Sequence, residues 1–160
     1  MVERLLTTNS EKQEDKQTAS ILSNLLHLPD IEFWKILKDS CYNNTLPEIA
    51  GNIQYHEFWP HWPPDKNHER YVEPDLFISF EKIDIIIEAK RSDKYQQYQE
   101  QWESEFSAYK KKYGTKNNVV LIAIGGLNPK NLSPETNKLN IQKCRWRGLL
   151  DTLYKYLVIY

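Results

Sequence analysis

Cysteine is almost missing from this sequence. Cys41 and Cys144 are the two thiols in 160 residues. They stand far apart and neither belongs to a C-x-x-C pair, so neither a disulfide framework nor a zinc knuckle is expected. Long apolar runs are absent too. Nothing approaches the roughly 20 residues of a membrane-spanning helix, and no basic-then-apolar segment opens the sequence. The expectation is a cytoplasmic protein without membrane contact. A glycine-rich phosphate loop, a dinucleotide fingerprint and a Ser-His-Asp order are also lacking. His56-Glu57-Phe58-Trp59-Pro60-His61 comes nearest to a zinc-protease helix. Its histidines are five apart rather than four, and Pro60 forbids the helix that would bring them together. His56, His61 and His68 lie on strand and loop spacings that define no metal geometry. No repeat, low-complexity tract or linker divides residues 1–160, which therefore read as one domain, large enough to bury a core without staples.

What the chain does have is aromatic residues and segregated charge. Five Trp, ten Tyr and five Phe accompany a net charge of −1. That small net value conceals an asymmetry: residues 1–105 carry 11 Lys+Arg against 20 Asp+Glu, whereas residues 106–160 carry 10 against 2. A basic C-terminal third can attract a polyanion while acids elsewhere hold divalent cations. A solvated distribution whose halves partly cancel is the plainer alternative.

Read in order, Glu11 to about His27 has helical periodicity, with Thr18, Ile21, Leu22, Leu25 and Leu26 as its apolar stripe and Ser10 as its cap. Pro29 breaks it. Asp30 is expected to cap a second helix through Ile31, Phe33, Trp34, Ile36 and Leu37. Asn43-Asn44-Thr45 and Pro47 form a loop. Ile53 to Trp59 reads as a strand, and His61 to Asn67 as a proline-rich loop. The Phe58-Trp59 and His61-Trp62 cluster reads as core or loop packing before a base-stacking platform.

The most distinctive stretch is Glu73 to Arg91. Leu76-Phe77-Ile78-Ser79-Phe80 and Ile83-Asp84-Ile85-Ile86-Ile87 flank the polar Glu81-Lys82, the pattern of a β-hairpin. Asp75 opens the first strand, while Glu88 and Lys90 close the second. With a side-chain period of two, Glu88 and Lys90 point to one side and Ala89 to the other. Two acids and an amine at one end of an apolar hairpin are costly to bury unless paired or holding a cation. A long helix follows, from about Lys94 to Tyr113, capped by Ser92-Asp93 and ended by Gly114; Trp102, Phe106, Tyr109 and Tyr113 share a face. Val119 to Ile124 is a buried strand backed by Gly125-Gly126. A polar loop through Pro129 and Pro134 leads to a closing helix from Ile141 to about Leu157, with Trp146, Leu149, Leu150, Leu153 and Leu157 as its buried stripe. The expected class is α/β: a mixed central β-sheet flanked by helices, in the order α-α-β-β-β-α-β-α, with a parallel, right-handed crossover from the Glu88 strand to the Val119 strand.

Pro74-Asp75, a spacer from 76 to 87, and Glu88-Ala89-Lys90 resemble the signature of the PD-(D/E)xK nuclease superfamily, whose restriction-endonuclease-like core has a sheet of this arrangement. The resemblance implies a Mg²⁺-dependent hydrolysis of phosphodiester bonds, with Mn²⁺ able to substitute, on DNA before RNA. It implies Asp75 and Glu88 as metal ligands, with the backbone carbonyl of Ala89 as a third oxygen. Lys90 would orient or deprotonate the attacking water, or stabilise the developing phosphorane charge. Many members add a glutamate from the first helix; Glu14 is preferred here over Glu32 and Glu48, though it also serves as an ordinary first-turn acid. Gln101 resembles a glutamine that often follows E-x-K and contacts the site. Lys110, Lys111 and Lys112, with Lys116, and Lys143, Arg145 and Arg147 on the last helix, are candidates for phosphate-backbone contacts, or else solvated helix ends. A chain this small leaves no room for a recognition domain, so specificity would need a homodimer or a partner protein. The rival expectation is a catalytically inactive module on the same fold that binds nucleic acid or a partner.

Overall fold

A computed structural model describes residues 16–42, 45–64, 71–90, 97–127 and 140–159. Pleated strands of alternating apolar residues supply two faces, and helices cover both. The elements run α1 (residues 16–25), α2 (Asp30–Ser40), β1 (Ile53–Phe58), β2 (Leu76–Phe80), β3 (Asp84–Ala89), α3 (Gln99–Tyr113), β4 (Val119–Ile124), β5 (Ile141–Cys144) and α4 (Trp146–Ile159). The five strands form one mixed sheet in sequence order, β1-β2-β3-β4-β5. β1, β2 and β3 pair antiparallel, whereas β4 and β5 join parallel to β3. The expected hairpin and the parallel crossover through α3 are both present.

Period-two alternation sorts the core. Leu76, Ile78, Phe80, Ile85, Ile87, Val120, Ile122 and Ile124 face α1, α2 and α4. Phe77, Ile86, Leu121 and Ala123 point the other way, onto Trp102, Phe106 and Tyr109 of α3 and onto Trp62. β4 is thus apolar on both sides, as an interior strand covered on each face must be, whereas β3 carries the buried Asp84 and Glu88 beside Ile86 on its α3 side. Edge strand β1 leaves Gln54, Tyr55 and His56 exposed.

Several expectations need correction. Ile141–Cys144 is a strand, not the first turn of the closing helix, and the order becomes α-α-β-β-β-α-β-β-α. Its backbone pairs with β4 from Leu121↔Ile141 to Ile124↔Cys144, a partner no local periodicity reveals. In α4, Leu149 is buried while Leu150 and Leu157 are exposed; Trp146, Leu153 and Tyr156 pack partly against the core. Ile21 and Ile31 likewise face solvent while Thr18, Leu22, Leu25, Phe33, Trp34, Ile36 and Leu37 are buried. Asp30 does not cap α2, whose first turn follows Pro29 without a side-chain cap. Its Oδ2 instead accepts the Ile53 N–H at 2.8 Å and ties α2 to the start of β1. The long helix starts at Gln99, because Gln97 and Tyr98 are held non-helical; Ser92-Asp93, like Ser10 and the loop through Pro129 and Pro134, lies outside the described residues. Trp62 belongs to the core and forms a β-bridge with Val72. The two cysteines, distant in sequence, meet as an antiparallel bridge pair with both thiols free and buried.

Candidate functional site

The expected acids converge where the hairpin meets the carboxyl ends of the parallel strands, the edge at which open α/β sheets bind ligands. The β2–β3 register runs from Ser79↔Asp84 to Leu76↔Ile87, so one further step sets Asp75 opposite Glu88. Opposed residues of an antiparallel pair carry their side chains on the same face, with Cβ atoms about 4.5–5.5 Å apart. Asp75 also finishes the ladder: its Oδ2 accepts the Ala89 N–H at 2.7 Å, and its carbonyl accepts the Trp59 N–H at 3.1 Å. Lys90 lies two residues beyond Glu88, on the same side as the period requires, and its Nζ stands 2.8 Å from Glu88 Oε1. Gln101, in the first turn of α3, donates from Nε2 to that same oxygen at 2.7 Å. Asp75, Glu88, Lys90 and Gln101 are thus brought together.

The backbone behind these side chains is clamped. Gln97 Nε2 donates to the Glu88 carbonyl at 3.0 Å, and Gln97 Oε1 accepts from Trp102 Nε1 at 2.8 Å. Lys90 N–H donates to Ile124 O at 2.8 Å, while Trp146 Nε1 donates to Lys90 O at 2.7 Å. Gly125 makes this close approach possible. Its φ is +68°, and an added Cβ would stand 2.4 Å from Lys90 O and 3.0 Å from the Trp146 ring. A side chain there would be both strained and in collision.

One group at the site escaped the sequence reading. Glu105 is one turn beyond Gln101 on α3 and only 1 % exposed, with its carboxyl against that of Glu88. Neither Glu88 Oε2 nor Glu105 Oε2 has a hydrogen-bond partner. Burial, then the Glu88 charge, the hydrogen bond with Glu88 and the Asp75 charge push the Glu105 carboxyl well above the usual range, against the opposing pull of Lys90. Burial disfavours the Lys90 ammonium, but Glu88, by charge and by hydrogen bond, and then Asp75 and Glu105 outweigh it and hold that pKa above the ordinary lysine value. A signal for Glu105 was available: it stands three residues after Trp102 and four before Tyr109, an acid at the edge of an apolar stripe.

Other candidates fall elsewhere. Glu14 lies outside the described residues. Glu48 pairs with the buried Lys38 at 2.8 Å and lines a cavity of about 340 Å³ with Ile31, Trp34 and Ile49. That cavity, like Glu32 beside Asp30, sits by the start of β1, a strand length of roughly 15 Å from Asp75. Lys110, Lys111 and Lys112 are exposed at the far end of α3, roughly 15 Å along its axis from Gln101, and Lys111 Nζ donates to Pro64 O at 2.6 Å. Lys143, Arg145 and Arg147 do not share a helix. Lys143 is on β5, in the row Glu88↔Ala123↔Lys143, and so faces the same side as Glu88 two strands away, with the small Ala123 between them. Burial lowers its pKa. Arg145, in the turn before α4, lies over the Tyr42 ring at 5.7 Å; the exposed Arg147 approaches Asp151 at 3.9 Å.

Among the described residues, no three His, Cys, Asp or Glu side chains converge closely enough to hold a metal by themselves. The donors present are hard oxygens, one of them a buried carboxylate oxygen without a donor of its own. That chemistry fits a cation such as Mg²⁺, which takes a few carboxylates and completes its shell with water and substrate. No helix among the described residues is long and apolar enough to cross a membrane. No family model matches the chain, and no solved structure matches it significantly. The chain is similar to an uncharacterized protein of Pasteurella multocida, with 37% identity over 116 residues, which cover 71% of this chain and 43% of that protein. It therefore spans less than half of that relative's length.

Proposed function

We propose that the chain is a metal-dependent nuclease of the PD-(D/E)xK kind, hydrolysing phosphodiester bonds of DNA before RNA. One observation carries the reading: a carboxylate from each arm of the hairpin, Asp75 and Glu88, meets at the sheet edge beside the Lys90 ammonium. The mixed sheet, with its antiparallel hairpin and parallel crossover, supports a restriction-endonuclease-like core. Asp75, Glu88 and the Ala89 carbonyl would hold Mg²⁺ or Mn²⁺, which supplies charge neutralisation and an acidified water. The protein's own groups do the rest. Lys90, kept as an ammonium by its acidic neighbours, orients the attacking water and stabilises the charge that develops on the phosphoryl oxygens. Gln101 fixes the Glu88 carboxylate, and Gln97, Trp146 and Gly125 fix the backbone that carries Glu88 and Lys90. Lys143, on the same face, is positioned to attract the substrate's phosphates. Sequence preference would come from a second copy or a partner protein, and the place of action is the cytoplasm.

Plasmid cleavage with Mg²⁺ or Mn²⁺ tests this reading. Asp75→Ala and Lys90→Ala are each expected to lower the rate by roughly 10²–10⁴-fold. Equal activity in the wild type and both variants removes it. A second reading, a non-catalytic module on the same fold, draws on the exposed Lys110 and Lys112, which lie far from the acids and fit a polyanion without chemistry. DNA binding with no affinity for divalent ions favours that alternative.

A further inference from the structure

The buried face of the Glu88 carboxylate is the least explained feature of the site. Glu88 Oε1 takes up Gln101 and Lys90, whereas its Oε2 is buried without a hydrogen-bond partner, as is Oε2 of Glu105, the acid against Glu88. Both side chains are more than nine-tenths buried. Two carboxyl groups in contact inside a protein, with an oxygen on each lacking a donor, need something positive between them. A proton serves when nothing else is present. A divalent cation serves better, since it neutralises both charges and both oxygens are hard ligands of the kind it selects.

We propose that Glu105 is a cation ligand, and that Glu88 Oε2 and Glu105 Oε2 together grip the divalent ion from the α3 side. The inference rests on the nuclease reading above and adds to it a ligand from the crossover helix, outside the P-D and E-x-K segments. It also gives the order of residues along α3 a function. Gln101 holds Glu88 from one side, leaving the other oxygen for the ion, and Glu105 arrives one turn later on the same helix face. Lys90 stays on the Oε1 side, where its charge does not compete for the ion's position. An acid in this place that served packing alone would be out of keeping with its surroundings, since Trp102, Phe106 and Tyr109 beside it are buried aromatics.

Calorimetric titration of Mn²⁺ into the wild-type chain and into Glu105→Gln, Glu88→Gln and Asp75→Asn tests the inference, with thermal melting of each metal-free protein as the measure of folding. Glu105→Gln is expected to bind Mn²⁺ at least tenfold more weakly than wild type, while its metal-free melting temperature is unchanged or higher, because an acid–acid contact becomes an amide–acid hydrogen bond. The opposite signs separate ligation from a packing role, which would lower both. Mn²⁺ affinity within twofold of wild type in Glu105→Gln, with affinity lost in Glu88→Gln and Asp75→Asn, overturns the role of Glu105 and leaves the nuclease reading standing. A wild type that binds no Mn²⁺ at millimolar concentration overturns both. If Glu105→Gln does not fold, Glu105→Asp takes its place. Retracting the carboxylate by one methylene is expected to weaken Mn²⁺ binding severalfold, and an unchanged affinity overturns the proposal.

Discussion

β3 buries two carboxylates on the same face, four residues apart, and the protein treats them in opposite ways. Asp84 is surrounded by neutral donors: Ser79 Oγ gives to Oδ1 at 2.7 Å, while the Tyr109 hydroxyl and Asn117 Nδ2 give to Oδ2 at 2.5 and 3.2 Å. Every donor comes from a different element, so Asp84 fastens the start of β3 to β2, α3 and the turn before β4. Burial and the Asp84 hydrogen bond raise the Tyr109 hydroxyl pKa, keeping it a donor. Glu88 has donors on one oxygen only, and the buried carboxyl beside it is another acid, Glu105. Full satisfaction is what a structural acid shows; a buried oxygen without a donor calls for an explanation, and the proposed cation supplies one. Helix α3 reads out both. It runs antiparallel to β3, so the eight residues from Gln101 to Tyr109, about 12 Å, match the four from Glu88 to Asp84, about 13 Å.

The contrast can be broken by exchanging what each acid does. Asp84→Ala strands the buried Tyr109 hydroxyl and takes the acceptor from Ser79 and Asn117, and is expected to cost about 3 kcal/mol in urea unfolding, whereas Glu88→Gln is expected to cost about 1 kcal/mol or less without metal while abolishing cleavage. A milder loss for Asp84→Ala than for Glu88→Gln would mean that the roles are reversed. Gly125→Ala comes next in size. The positive φ and the collision with Lys90 O are expected to cost about 2 kcal/mol in the same assay and to lower cleavage through a displaced Lys90. An unaffected variant would show that the Lys90 backbone is not clamped there.

The smallest effect is on pH. Because the folded protein raises the Glu105 pKa, the unfolded chain loses that proton first as pH rises. Between the unfolded carboxylate pKa and the raised folded one, the folded state binds more protons. Stability therefore falls with rising pH, by at most about 1.4 kcal/mol per pH unit for one proton. Metal-free Glu105→Gln is expected to lack this decline on the alkaline side of the unfolded carboxylate pKa in urea unfolding. An unchanged slope would assign the proton to another group. Lys90 does not confuse the result, because its raised pKa contributes stability that is fully present throughout that range and is lost only at alkaline pH.

The hairpin, β4 and the aromatic face of α3 were legible because each is written locally, as alternation or as a three-to-four spacing that needs no distant partner. The motif acids were legible for the same reason: period two puts Glu88 and Lys90 on one side before any fold is known. β5 was not legible. Four residues, Ile141 to Cys144, are too few to establish a period, and only the open parallel edge of β4 makes them a strand. The start of α3 was misplaced because Gln97 is held outside the helix by hydrogen bonds to Gly126 O and the Glu88 carbonyl, and Tyr98 after it is extended.

Alone, then, the sequence determined the two amphipathic patterns and which residue types close the hairpin, since both follow from side-chain periodicity along a short backbone. The tertiary structure decided which oxygens go without a donor. That property belongs to the space between elements. It took the packing of α3 across β3 to bring Glu105 against Glu88 and to give Asp84, four residues away, all the partners that Glu88 lacks.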